Sequence, residues 1–391
     1  MIEFSSLFGW YFMKILFVMN NAFTRGNGLA GSCRNTVKYL REAGEEVRIL
    51  SAEGEDGEKP DYLLPDAHLP VFDDLVHKQG YSFAKADKDM ITEAVRWADV
   101  VHLEEPFVIQ MMVCQIAKEE HKPLTGTYHL HPENLFASVH LRKSRSLNCS
   151  TMILWRNSVF NHCKIIQCPT ENVKERLIRY HYKPELRVIS NGMLNEETAP
   201  LEHKDMEDGF YTVVTTGRYS VEKKQKILLK AMKYSKYAGK IKLVLAGRGP
   251  TEEMLKKKAD KLVKKGILKT PPVFCFCNAD ELKQIYSKAS LYIHCAIIEV
   301  EGMSCMEAIQ TGLVPVIAKG RYTATSQFAL SPQSIYKKCN ARDLARKIDY
   351  WLSDDDRRKK EAERYLGMGK EYDIHKSIEK LRQMFRDAVE K

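Results

Sequence analysis

The stretch EVEGMSCMEAIQTGLVPVIA, residues 299–318, decides how this chain is built. Glu299 stands just before a glycine turn at Gly302. Glu307 follows eight residues later, a little over one turn into a helix whose periodicity starts near Met303. Gly312 then stops the helix, and the β-branched run VPVIA reads as the next strand. A strand-to-helix turn of this kind leaves the N–H groups of Gly302, Met303 and Ser304 without helical acceptors, at the positive end of the helix dipole. It offers donors for a phosphate and two carboxylates to accept hydrogen bonds from sugar hydroxyls. Two acids at this spacing, taken alone, read equally well as solvated side chains.

Outward from this stretch, short apolar runs alternate with helical patterns. On the N-terminal side the candidate strands are KILFVMN (14–20), EVRIL (46–50), DVVHL (99–103), PLTGTY (123–128), KIIQCP (164–169) and RVIS (187–190). Between the first two, GSCRNTVKYLREAG carries Val37 and Leu40 at helical spacing and ends at Gly44. Residues 191–210 are polar, rich in Gly, Pro and acids, and lack a period, which marks a linker. The alternation restarts with YTVVTTG, KIKLVLAG, PVFCF, LYIHCA and VPVIA, and turns helical from about residue 341. Strands separated by helices predict an α/β protein with two doubly wound, Rossmann-like domains facing a cleft, and ligands beyond the carboxyl ends of the strands.

The composition fits. A chain of 391 residues is long enough for two cores, and a formal charge of +10 implies acidic partners. Ten cysteines show no C-x-x-C pair, which with no secretory signal suits a reducing cytoplasm. The first twelve residues, MIEFSSLFGWYF, lack a basic n-region and read as an extension. No apolar run approaches the roughly 20 residues that span a bilayer.

GNGLAG, Gly26 to Gly31, spells G-x-G-x-x-G after a strand, and Glu53 lies where a dinucleotide enzyme would hold a ribose. In that fold the first glycine follows the strand almost directly, whereas NAFTR intervenes here. A nicotinamide enzyme fails on this loop length, Glu53 reads as a loop acid, and Gly28 is left to serve the cleft.

The 299–318 segment resembles the E-x7-E signature of glycosyltransferase family 4, the retaining nucleotide-sugar transferases of GT-B fold. TTGRYSVEKKQKILLKAM (215–232) is similar to the family's Gly-Arg…Glu-Lys segment, LVLAGRGP (243–250) to the next strand and glycine turn, and PTENVKERL with VISNGM to the end of the first domain. The resemblance implies domains at 1–195 (acceptor) and 208–370 (donor), with a helix at 371–391 returning to the first. It implies that Glu307 grips the ribose of a UDP-hexose (UDP-glucose or UDP-galactose) and that Arg218 and Lys223 bind the diphosphate, beside Gly302, Met303 and Ser304. Glu299 would contact the transferred sugar, and His129 in GTYHLHPEN would be the active-site histidine, with His131 as second choice. Paired cations on a leaving diphosphate are sensible chemistry in their own right.

Three departures stand out. Asn27-Gly28 replaces paired glycines, the glycine after PVFCF is missing near Cys277 and Asn278, and Lys224 replaces the glycine after the lysine. No cofactor or metal is implied: DKD (87–89) and DDD (354–356) open charged helical runs and read as helix N-terminal acids rather than an Asp-x-Asp site.

Residues 139–164 combine Arg142, Lys143, Arg145 and Arg156 with Leu147, Met152, Ile153, Leu154, Trp155, Val159 and Phe160. This suits an anionic membrane surface and a lipid acceptor such as diacylglycerol, with the enzyme cytoplasmic and peripheral on the inner face of the membrane. It suits equally a helix that covers the first sheet with its basic residues toward water. A carrier-lipid-linked sugar, as in capsular or surface polysaccharide assembly, would also draw the enzyme to a membrane, and a soluble sugar acceptor would not. A non-catalytic sugar-nucleotide scaffold is argued against by the joint presence of His129, Arg218, Lys223, Glu299 and Glu307. Nucleic acid is argued against by dispersed charge and the lack of any reading motif.

Overall fold

The computed structural model describes residues 12–24, 28–54, 57–67, 83–137, 141–194 and 208–391, so most of the proposed linker, 195–207, and Gly26 and Asn27 lie outside the described residues. Seven strands form the first sheet: β1 (Lys14–Val18), β2 (Glu46–Ala52), β3 (Tyr62–Leu64), β4 (Val100–Leu103), β5 (Leu124–Thr127), β6 (Ile165–Cys168) and β7 (Glu185–Val188). Their order is β3-β2-β1-β4-β5-β6-β7, with every pairing parallel. The second sheet has order β10-β9-β8-β11-β13-β15, again parallel. Its strands are β8 (Tyr211–Thr216), β9 (Ile241–Ala246), β10 (Val273–Cys275), β11 (Leu291–His294), β13 (Pro315–Lys319) and β15 (Ile335–Lys337). Between them β12 (Ile298–Glu299) and β14 (Tyr322–Thr323) pair as a two-residue ladder.

Helices on both faces explain why the central strands read as unbroken apolar runs: β4, β8 and β11 are buried at every position. Two apolar clusters line the two faces of the first sheet, and a third fills the second domain. The helix Gly28–Glu42 buries Cys33, Val37 and Leu40, and Gly44 closes it in the left-handed region. Asp87 and Asp354 each cap a helix through their side chains, which gives both acid runs a structural role. The short strand Tyr62–Leu64 was not anticipated. It is an edge strand of three residues, too short to carry an alternation. Cys277 lies beyond the end of β10, and its thiol still meets that of Cys275.

Strand order reverses between β1 and β4 in one sheet and between β8 and β11 in the other. Crevices open beyond the carboxyl ends at such reversals. Asn20, Glu104 and Glu105 stand at the first; Gly217, Arg218 and His294 stand at the second.

The chain crosses between domains at a second point as well. The helix Ile374–Glu390 leaves the second domain and buries Ile378, Leu381, Met384 and Phe385 against the first sheet, where Phe385 meets Phe17 and His102 edge-on. At the crossing, Met193 N–H donates to Tyr372 C=O and Ile374 N–H to Met193 C=O, both at 2.8 Å. Gly192 makes this approach possible: its φ is +72°, and a Cβ there would stand 2.8 Å from Ile374 Cα.

Candidate functional site

The turn before the helix Met303–Gln310 needs Gly302. The residue has φ +98°, and an added Cβ would run into the Thr325 hydroxyl. The left-handed turn aims the helix N-terminus back toward β12, and among the described residues no protein acceptor takes the N–H groups of Gly302, Met303 or Ser304. Glu299 ends β12 beside them. Lys223 Nζ forms an ion pair with Glu299 Oε1, and His294 Nε2 lies 3.3 Å from the same oxygen. Thr325 Oγ1 and Tyr292 Oη, each 3.4 Å from a nitrogen of the His294 ring, hold it in turn. Burial alone would raise the Glu299 carboxyl; Lys223 and then His294 overcome it, holding it near 2 against an ordinary 4.5.

This makes Glu299 a source of acid-labile stability. Its carboxylate contributes above pH 4.5, and the contribution is lost as the pH falls toward 2, on the order of 3 kcal/mol in all. Urea unfolding of wild type and Glu299→Gln across pH 2.5–7 should show the gap between them closing over that window. A gap independent of pH would mean that the Lys223 pairing is not what stabilises the ionised form.

Glu307 behaves oppositely. It lies on the helix Met303–Gln310 with no side-chain hydrogen bond among the described residues, and desolvation pushes its carboxyl up to about 7. A half-buried acid lacking a side-chain partner among the described residues, beside open N–H donors, is poised to accept hydrogen bonds from a ligand.

Arg218 follows β8 and donates to Glu222 Oε1 at 2.8 Å, where Ser220 Oγ also donates at 2.5 Å. Glu222 is buried, so the guanidinium is held from behind while about a third of it stays exposed to the cleft. Lys224 adopts φ +57°, the conformation that glycine takes without cost, at roughly 1–2 kcal/mol for a residue with a Cβ. After PVFCF, Asn278 caps the next helix in place of a glycine turn. There Arg248 stacks over Phe276 at 4.3 Å, a flat surface beside the Gly247–Gly249 loop.

His129, on the first domain, pairs through Nε2 with Glu104 Oε2 at 2.6 Å. His131 does not share its surroundings. Fully buried, it caps the short helix Pro132–Leu135, packs against Tyr128 and Tyr322, and leaves both ring nitrogens without a partner. Burial first, then Arg176, pushes its pKa well down, so it is neutral. Gly28 opens the helix Gly28–Glu42, and a Cβ there would meet only open space. Glu53 is an exposed residue after β2 whose carbonyl accepts from Asn21, in keeping with a loop acid.

Three site residues carry no local signal. His294 ends β11 as one more apolar-strand residue would. Glu104 follows β4. Glu301, the middle acid of EVEGM, turns away from the helix and accepts from Ser190 Oγ (2.5 Å), Asn191 N (3.1 Å) and Asn191 Nδ2 (2.7 Å). Thr170 Oγ1 adds a bond to Val300 C=O at 3.0 Å, so the first domain grips the loop at two points.

On the segment after residue 140, Trp155 and Met152 point into the core of the first domain, so tryptophan supplies no outward anchor. Arg156 spends a guanidinium N–H on Tyr180 C=O at 2.8 Å. Leu141, Ile153 and Leu154 are exposed, as are Lys143 and Arg145. Among the described residues no helix is long and apolar enough to cross a membrane, and no three His, Cys, Asp or Glu side chains converge as a metal site.

The comparisons with known proteins agree with this architecture. Residues 26–193 match the model of Glycosyltransferase Family 4, and residues 201–365 that of Glycosyl transferases group 1. The alpha-monoglucosyldiacylglycerol synthase of Streptococcus pneumoniae is 26% identical over 79% of this chain and 71% of its own length. The sulfoquinovosyl transferase SQD2 of Arabidopsis thaliana is 24% identical over 78% of this chain and 58% of its own. HepE from Anabaena, solved in complex with UDP and glucose, superposes with a TM-score of 0.73 at 15% identity, covering 96% of this chain and all of that one, and shares the two-domain GT-B fold. With both halves matched and the E-x7-E helix seated at the second strand-order reversal, the chain belongs to glycosyltransferase family 4.

Proposed function

We propose that the chain is a retaining hexosyltransferase that moves a sugar from a UDP-hexose to a membrane-lipid acceptor such as diacylglycerol, forming an α-glycosidic bond. The observation that carries the donor half is the pairing of opposite needs at one helix end. Free N–H groups, Arg218 and the Lys223 ammonium await negative charge, while Glu307 and Glu299 await hydroxyl donors. A nucleoside diphosphate sugar answers all of them in one extended ligand. In this reading Glu307 holds the ribose and Arg218 and Lys223 hold the diphosphate. Glu299 and, from the opposite domain, His129 face the transferred sugar. Attack and departure occur on one face of the anomeric carbon, and the cations and helix end stabilise the diphosphate as the bond breaks.

The lipid half rests on the names of the curated relatives and on the exposed Leu141, Ile153 and Leu154 beside Lys143 and Arg145. Such a face suits the inner surface of an anionic membrane without crossing it. A panel of labelled nucleotide sugars, with and without vesicles of diacylglycerol and phosphatidylglycerol, tests both halves. The expected result is transfer from a UDP-hexose that survives EDTA and gives an α-linked product by proton NMR. A β-linked product, or activity lost to EDTA and restored by magnesium, would overturn the mechanism. Replacing Arg142, Lys143 and Arg145 by Ser should weaken vesicle binding, since each surface cation contributes roughly 1 kcal/mol near the bilayer. If that variant sediments with vesicles as wild type does, the segment is a covering helix and a soluble sugar acceptor is the better reading.

A further inference from the structure

The His129–Glu104 pair is more elaborate than an incidental contact. Both side chains are nearly closed to solvent, at 7% and 3% exposure. Glu104 is fixed from its own backbone, whose N–H donates to Val18 C=O at 3.2 Å across the strand-order reversal. Behind it, 3.6 Å from Oε1, lies His102 Nε2. That ring is clamped by the Thr125 and Thr127 hydroxyls at 2.9 and 2.8 Å, and Thr127 donates onward to Gln167 at 2.6 Å. Burial lowers the His102 pKa to about 4, so that ring brings no positive charge at neutral pH. Burial alone would raise the Glu104 carboxyl, and His129 outweighs it, keeping the group below its ordinary range.

The geometry points to Glu104 as a positioning residue for His129: its Oε2, 2.6 Å from Nε2 and otherwise without a partner among the described residues, favours the proton on that nitrogen and leaves Nδ1 to the bound sugar. This rests on the reading of His129 as the first-domain histidine facing the transferred sugar. No protein group among the described residues takes Nδ1. With Nε2 committed, a neutral ring presents a lone pair at Nδ1, which accepts from a sugar hydroxyl; protonation of Nδ1 removes that acceptor. The other charged or titratable groups around the ring are His102, Glu105, whose carboxylate Asn20 and Gln110 hold, and Glu301 from the second domain. Among the described residues none of these three makes an ion pair with the ring, as Glu104 does.

The test uses the full chain. Long-range proton–nitrogen NMR of the histidine rings, with His129→Asn identifying the His129 signals, should show the Nε2–H tautomer. In Glu104→Gln, whose amide oxygen still offers Nε2–H an acceptor, the tautomer should persist. In Glu104→Leu, kcat should fall about 30-fold or more with KM for the donor little changed, and the same substitution made in His129→Asn should cost nothing further. An Nδ1–H tautomer in wild type, a lost tautomer preference in Glu104→Gln, or an undiminished Glu104→Leu penalty in the His129→Asn background would each overturn the inference. The reading beneath it fails separately, by full turnover in His129→Asn itself.

Discussion

Lys223→Ala should depress turnover by about a hundredfold or more while changing UDP affinity far less. Negative charge on the diphosphate grows as the glycosidic bond breaks, so an ammonium there stabilises the transition state more than the bound donor. The structure gives this variant a second consequence. In the free protein Lys223 rests on Glu299, with His294 at 3.3 Å as the other neighbour. Alanine therefore leaves a buried carboxylate with half its compensation, and the Glu299 pKa should climb from about 2 toward its ordinary value. Because both losses pass through one pair, Lys223→Ala combined with Glu299→Gln should cost less than the two single effects together. Steady-state kcat and calorimetric UDP binding on the four proteins decide the matter. A single Lys223→Ala variant with near-wild-type kcat would take this lysine out of the chemistry.

Glu307→Ala should act on binding instead. Two ribose hydroxyls would lose a charged acceptor worth roughly 1.5–3 kcal/mol, weakening UDP by roughly 10- to 150-fold. The pH dependence makes the prediction sharper. Burial holds the Glu307 carboxyl near 7 in the free protein, so below that pH the site carries a proton that must leave before the carboxylate can accept both hydroxyls. UDP binding by wild type should therefore weaken as the pH drops from 8 to 6, and Glu307→Gln should flatten that slope. UDP affinity unchanged in Glu307→Ala would put the ribose elsewhere.

What was legible in the sequence was what is local. A strand, a left-handed glycine and a helix within about ten residues imply where Glu299, Gly302 and Glu307 stand, because the turn leaves the backbone little choice. Glu301 sits among those same residues but carries no such local signal. Its partners, Ser190 and Asn191, are 111 and 110 residues away, and nothing in EVEGM announces them. Glu104 and His129 are likewise joined by the parallel register of β4 with β5, which a single sequence does not print. The tryptophan of the basic segment illustrates a different limit. Helical spacing puts Met152 and Trp155 on one face and Ile153 and Leu154 off it, yet only packing decides that the first pair faces the sheet and the other two are exposed.

The crossing at Met193 and Asp373 has a mechanical meaning. Two strands of main chain pass between the domains side by side, hydrogen-bonded to each other and packed so closely that only glycine fits at 192. A single connecting strand behaves like a swivel, free to turn about its own length. A double one behaves like a strap hinge: it bends easily across its width and resists torsion. A hinge of that form would let the two halves bend toward and away from each other more readily than twist, and any opening would have to break the bonds of Glu301 to Ser190 and Asn191.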